Sequence, residues 1–259
     1  MTSTVTMEGV KKAVFFPFKG EKWGTKLLIG SVITLAFYIP VVGIAAAIVL
    51  AGYFGQIMKR VIVAEEDPEL PDWKEWETLF LDGIKIAGAS LIYMLPGLLC
   101  MVAGYILFLV LDIAFVATTS SMNSYSSSFP AAFVGNMVGM FVGLGLVGVG
   151  ALLMLVMSIF LPPALGNLID KDNFGAAFRI KEWWPVLRAN IGGYLLAIAL
   201  LIGTNSLMIM VTYCLYFTVI LCILIPFSMC ICIYILGSMA FSLYAVSYRD
   251  GTKKLAGVE

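Results

Sequence analysis

The chain has 259 residues, of which 61% are hydrophobic and 12% charged, against roughly 45–50% and about 25% in an ordinary soluble domain. Three blocks, 27–58, 86–169 and 189–248, hold a single charge between them, Asp112. A spanning helix needs roughly 20 apolar residues, so the chain commits too much of its length to the membrane to leave a separate water-facing domain.

The absences narrow the chemistry. With no histidine in the chain, histidine-based triads, histidine metal sites and the usual physiological proton switch are excluded. The five cysteines, Cys100, Cys214, Cys222, Cys230 and Cys232, lie inside apolar blocks without a C-x-x-C pair and read as small buried hydrophobes, so no metal or other cofactor is implied. The 16 basic and 16 acidic residues balance, which implies no nucleic-acid partner.

In chain order, residues 8–26 come first, with Phe15, Phe16, Phe18 and Trp23 set among lysines. This is too long a polar prelude for a cleaved signal peptide and reads as an interfacial segment. Block 27–58 is too short for two full spans and a turn, yet Tyr38-Ile39-Pro40 and Gly43 mark a turn near its middle. A short hairpin, re-entrant or thinly spanning, keeps the flanking lysines on one side; a single bent span does not.

Residues 65–82 are acidic, and Trp73, Trp76, Leu79 and Phe80 are spaced by three and four, which predicts a short interfacial helix after Pro71. Residues 84–163 form a predicted helical hairpin whose outer loop, 118–130, contains neither Lys nor Arg. Both arms exceed what the membrane needs, with Pro96 and Pro162-Pro163 as kink or end points.

Residues 170–184 predict a further interfacial helix, setting Phe174, Ala177, Phe178, Trp183 and Trp184 against Lys171, Arg179, Lys181 and Glu182. Residues 185–248 form a third hairpin, with Pro185 and Pro226 suited to the first turns of its helices and the outer turn within 203–225. Residues 249–259 remain as a tail. Basic residues cluster at 11–26, 59–85, 171–188 and 249–254. Since such clusters mark the cytoplasmic side, each intervening block crosses an even number of times and both termini are cytoplasmic. Each aromatic surface segment also leads to a basic residue and then a glycine entering an apolar run: Lys26 to Gly30, Lys85 to Gly88, Arg188 to Gly192.

Several stretches carry a family resemblance. They are Phe16-Pro17-Phe18 with Trp23, then Lys26 to Gly30, the Pro40 turn, and Gly52-Tyr53 before Lys59-Arg60. The run from Leu70 through Trp73, Trp76, Leu79, Asp82 and Gly83 to Lys85 is the most specific. Ile92 to Pro96, Leu161 to Leu165, Ala176 to Arg179 and Gly193 to Ala197 follow. In these features the chain resembles domain-of-unknown-function family 4013, integral membrane proteins found mainly in archaea. It departs from that pattern near the C-terminus, where the family tends to carry histidine and this chain has Leu243 to Tyr248. The resemblance implies a topology and no activity.

Asp112 is the ionisable residue within the apolar blocks. An intramembrane carboxylate is a candidate proton or cation site, although Thr118 begins the outer loop only six residues later and Asp112 can simply reach outer headgroups. Asn136 and the Thr204-Asn205-Ser206 cluster are polar spots that suit interhelical hydrogen bonds. The ladder Ala131, Gly135, Gly139, Gly143 lets helix backbones approach closely, for internal packing first and homo-oligomerisation second. The acidic segment 65–82, with Trp73, Trp76, Asp82 and Lys85, reads first as a solvated face; the alternative is that it docks a basic protein partner or clamps onto Lys171, Arg179, Lys181 and Arg188.

These readings amount to an all-α polytopic membrane bundle of six segments in three hairpins in the cell membrane, bathed in membrane lipids. The expected function is that of a non-enzymatic membrane module, either a membrane subunit or an organiser of lipid or partners. The alternative is a transporter or lipid carrier for a small or amphiphilic solute. An intramembrane enzyme ranks last, because no pair of buried ionisable groups is apparent.

Overall fold

In a computed structural model of the chain, residues 12, 15–120, 129–216 and 223–257 are described. Among them every regular element is helical. A 3₁₀ turn at Phe16–Phe18 precedes α1 (Trp23–Leu35), and a second at Ala36–Tyr38 leads into α2 (Pro40–Ile62). Next come α3 (Trp76–Ser120) and α4 (Phe129–Asp170), a 3₁₀ turn at Phe174–Phe178, and α5 (Ile180–Ala189), α6 (Ile191–Tyr216) and α7 (Ile225–Leu255). Five of these helices, α2, α3, α4, α6 and α7, are long and apolar enough to cross a membrane, whereas the α1 region is shorter. The chain divides into two compact units, one of residues 1–89 and 162–259, the other of residues 90–161.

The first unit opens with a tight fold-back. Pro40 occupies the first turn of α2, where its missing N–H costs nothing. Gly43 stands against the Phe37 backbone, where a Cβ would come within 3.0 Å of Phe37 Cα, so α2 can return beside α1 only with a bare backbone there. Farther along, Gly52 of α2 and Gly83 of α3 meet backbone to backbone, against the carbonyls of Leu79 and Ile48. Rings also sit on glycines: Tyr234 on Gly30, Phe54 on Gly237 and Tyr248 on Gly166. The resulting core joins Phe16, Leu50, Tyr53, Ile57, Leu79 and Tyr234.

The second unit is an antiparallel pair with one seam. Gly104 and Gly143 face each other's carbonyl oxygens, at 2.7 and 3.0 Å from where a Cβ would stand, and one heptad away Gly97 and Gly150 do the same at 2.7 Å each. Leu111 covers Gly139, and Phe115 meets Phe133 with ring centroids 6.2 Å apart. Away from this seam side chains such as Ile106, Val110, Phe141 and Leu152 are exposed. In lipid, where apolar burial gives no drive between helices, such close backbone approach supplies the van der Waals contact.

Several expectations are corrected. Residues 65–75 are not helical; α3 begins at Trp76 and runs on without a break into the apolar block. Pro68 and Pro71 remove donors and push their predecessors out of the helical region, while Glu65 at φ 56° turns the chain off the end of α2. In place of a single helix over 170–184, a 3₁₀ turn is followed by α5. Pro185 lies inside α5 rather than opening α6, and the break falls at Asn190. Pro226 does occupy the first turn of α7, but that helix absorbs much of the presumed tail, ending at Leu255. The helices around the predicted loop 118–130 extend to Ser120 and resume at Phe129; residues 121–128 lie outside the described region, as do 217–222 within the predicted outer turn.

Candidate functional site

The polar side chains of the first unit converge at one end, where α1, α2 and α7 meet the segment 63–75. That segment is a strap. Leu70, 1% exposed, is its apolar pin, and burial of such a side chain contributes roughly 1.5–3 kcal/mol. Tyr53 Oη donates to the Pro71 carbonyl at 3.0 Å, and the Trp73 ring stacks on Tyr53 with centroids 4.0 Å apart and an 11° interplanar angle. Trp73 Nε1 donates to the Lys26 carbonyl at 3.1 Å, while Lys26 Nζ donates to the Leu70 carbonyl at 2.6 Å and lies 3.0 Å from Asp72.

The acids of the strap have definite partners. Arg60 holds Glu66 at 2.7 Å and Glu69 at 3.1 Å, Lys12 holds Asp67 at 2.9 Å, and Lys253 at the end of α7 holds Glu65 at 3.0 Å. Hydrogen bonds from Lys74 and then Lys26 pull the Asp72 carboxyl down to about 2. The expected clamp onto the basic segment is thereby corrected. Among the described residues Lys171 and Arg179 instead pair with Glu182 of their own segment, at 2.9 and 3.4 Å, because the turn at Phe174–Phe178 brings it back upon them. Lys85 joins the two segments, 2.8 Å from Asp172 and 3.7 Å from Asp82. The Lys85 hydrogen bond lowers the pKa of Asp172.

Two asparagines organise the other half of this end. Asn167, at the end of α4, donates to the Ala176 carbonyl at 2.8 Å and to Glu182 at 3.0 Å, and accepts from Tyr248 at 3.3 Å. Asn167 and then Lys171 hold the Glu182 carboxyl down to about 2. Asn190, in the break between α5 and α6, donates to the Ser247 carbonyl at 2.9 Å and accepts from Lys254 at 2.7 Å. Neither residue was singled out from the sequence. The one sign of Asn190 was its place between an amphipathic stretch and a glycine pair. The partners Gly97 and Gly104 had a sign of their own, since their spacing of seven repeats that of Gly143 and Gly150.

The predicted site residues scatter. Asp112 is partly exposed in the second unit with no hydrogen bond or ion pair among the described residues. Asn136 is buried near the seam, its Nδ2 3.6 Å from Met140 Sδ and its Oδ1 without a partner. Gly139 and Gly143 face α3, whereas Gly135 faces open space. Asn205 is exposed on α6, lining a cleft of about 320 Å³ with Thr212 and Cys232. Trp73 is turned inward and Trp76 is half exposed. Trp183 is a core residue, 2% exposed with Nε1 donating to the Ala177 carbonyl at 2.9 Å, and only Trp184 remains outward. Among the described residues no three acidic or cysteine side chains converge as metal ligands do.

Long apolar helices, a glycine-seamed pair with lipid-suited faces in the second unit and a charged end in the first define an integral membrane protein. The chain belongs to the family described as protein of unknown function (DUF4013), which it matches over residues 32–217. No curated protein and no solved structure matches it.

Proposed function

We propose that this chain is a non-enzymatic membrane module: six segments in three hairpins, α1/α2, α3/α4 and α6/α7, with both termini cytoplasmic, organising lipid or serving as the membrane subunit of a complex. The observation that carries this reading is where the polar side chains go. At the charged end carboxylates and cations are largely spent on each other and on backbone carbonyls, and the helix pair of the second unit turns aliphatic side chains outward on every face but its seam. A module needs a rigid charged end and a lipid-compatible body, and these features supply both.

A second reading, a carrier for a small or amphiphilic solute, is favoured by the cleft between α6 and α7, where Asn205 and Thr212 offer polar groups on an apolar wall. Proteoliposomes separate the two. A module leaves proton flux and phospholipid scrambling at the rate of protein-free vesicles. Scrambling or flux well above that rate, abolished by Asn205→Leu or Asp112→Asn in a folded protein, would establish the carrier and remove the module reading.

A further inference from the structure

We propose that the outward face of α5, Lys181, Trp184 and Arg188, is a binding site for the headgroups of anionic phospholipids. The inference deepens the module reading and rests on its membrane placement.

Helix α5 has two faces. Trp183, Val186 and Leu187 are buried, and Val186 packs on Gly251 of α7. The opposite face presents Lys181, Trp184 and Arg188, spaced by three and four and therefore in line. Trp184 is 40% exposed. Most basic side chains at this end are engaged with carboxylates or amide oxygens. Lys181 and Arg188, both exposed, have neither an ion pair nor a side-chain hydrogen bond among the described residues. Their acidic neighbour Glu182 points the other way, held by Lys171 and Asn167.

The position of α5 selects the partner. The apolar block that contains nearly all of α4 ends at residue 169 and the next begins at residue 189, so this ten-residue helix lies between two apolar runs. Ile191, just beyond it, is 56% exposed. A helix so tethered lies where hydrocarbon gives way to headgroups, the depth that tryptophan prefers. Two cations beside it meet lipid phosphates rather than bulk water. A guanidinium grips phosphate oxygens in pairs and an ammonium acts as a point charge, and each adds attraction to anionic lipid.

The test uses the full chain in neutral detergent with added phosphatidylglycerol or phosphatidylcholine, following the melting temperature. Ligand that binds the folded form raises the melting temperature as its concentration passes its Kd. Phosphatidylglycerol is expected to stabilise the wild type and phosphatidylcholine to do so far less. Lys181→Gln with Arg188→Gln should weaken the apparent affinity for phosphatidylglycerol about thirtyfold. Lys19→Gln with Lys22→Gln, which removes the same charge elsewhere, should leave it near the wild-type value. A second readout is quenching of tryptophan fluorescence by chain-brominated phosphatidylglycerol, in which Trp184→Phe should remove a component that the Lys181/Arg188 variant also loses.

Equal stabilisation by both lipids, full retention by the Lys181/Arg188 variant, or an equal loss in the Lys19/Lys22 variant overturns the proposal. Absence of any phosphatidylglycerol effect does so as well and leaves the face to a protein partner. These outcomes are independent of vesicle flux, so the failure of this site and that of the module reading can be told apart.

Discussion

At the scale of the residue, the charged end works because short polar side chains tie one element to another through backbone carbonyls. Asn190 is the clearest case. It sits where α5 stops, at φ −132° and ψ 39°, and ties the α5–α6 break to the Ser247 carbonyl and to Lys254. Removing one partner of such a buried bond costs about 1–3 kcal/mol. Glu182 shows the electrostatic side. Its carboxyl, ordinarily near 4.5, is held at about 2 by Asn167 and Lys171, so the folded state binds fewer protons than the unfolded chain below pH 4.5. Its contribution is present in full above about pH 5 and is lost as pH falls from about 4.5 toward 2. Melting followed across that range should therefore show a steeper acid decline for the wild type than for Glu182→Gln, which has no carboxylate to protonate. Parallel declines would show that the bonds to Glu182 contribute nothing to folding.

At the scale of the element, two devices hold helices together, and each makes its own forecast. The seam of the second unit depends on bare backbone at four glycines. Gly104→Leu should force α3 and α4 apart and lower the unfolding free energy by about 1–3 kcal/mol. Gly145→Leu, at a position where a Cβ meets nothing within 4 Å, should be close to neutral. Denaturation in mixed micelles checks both, and equal losses would mean that the seam is not the contact. The strap is held by the buried Leu70, the Tyr53–Trp73 stack and ion pairs in place of a helix–helix surface, and its acids reach Lys253 rather than Lys181. A double-mutant cycle on Glu65 and Lys253 should show a coupling of about 0.2–1 kcal/mol, because both side chains are well exposed. Added salt should shrink it. The same cycle on Glu75 and Lys181 should show none. Coupling in the second pair and not in the first would restore the clamp that the charge pattern alone implied.

At the scale of the whole molecule, the topology makes a direct forecast. Single cysteines at Ser124 and Lys171, in a background without native cysteines, should respond oppositely to a membrane-impermeant thiol reagent, with labelling in intact cells at 124 alone. Labelling at 171 would invert the arrangement. The sequence by itself determined the class of the protein and the approximate course of its helices. A charge-free run of chain has no low-energy alternative to a hydrogen-bonded helix in lipid, and local composition records that need directly. Proline marked the start of α2 and of α7 for an equally local reason. Only the tertiary structure decided which acid meets which base, which tryptophan turns inward and which glycines form the seam. These depend on chain direction after a turn: Glu65 in the left-handed region sends the strap over Tyr53, and the 3₁₀ turn at Phe174–Phe178 folds Glu182 back onto Lys171. Pairings of this kind join residues far apart in the chain, Glu65 to Lys253 and Asn190 to Lys254 among them. A pattern of residue types along one strand of sequence contains the charges but not the register that matches them.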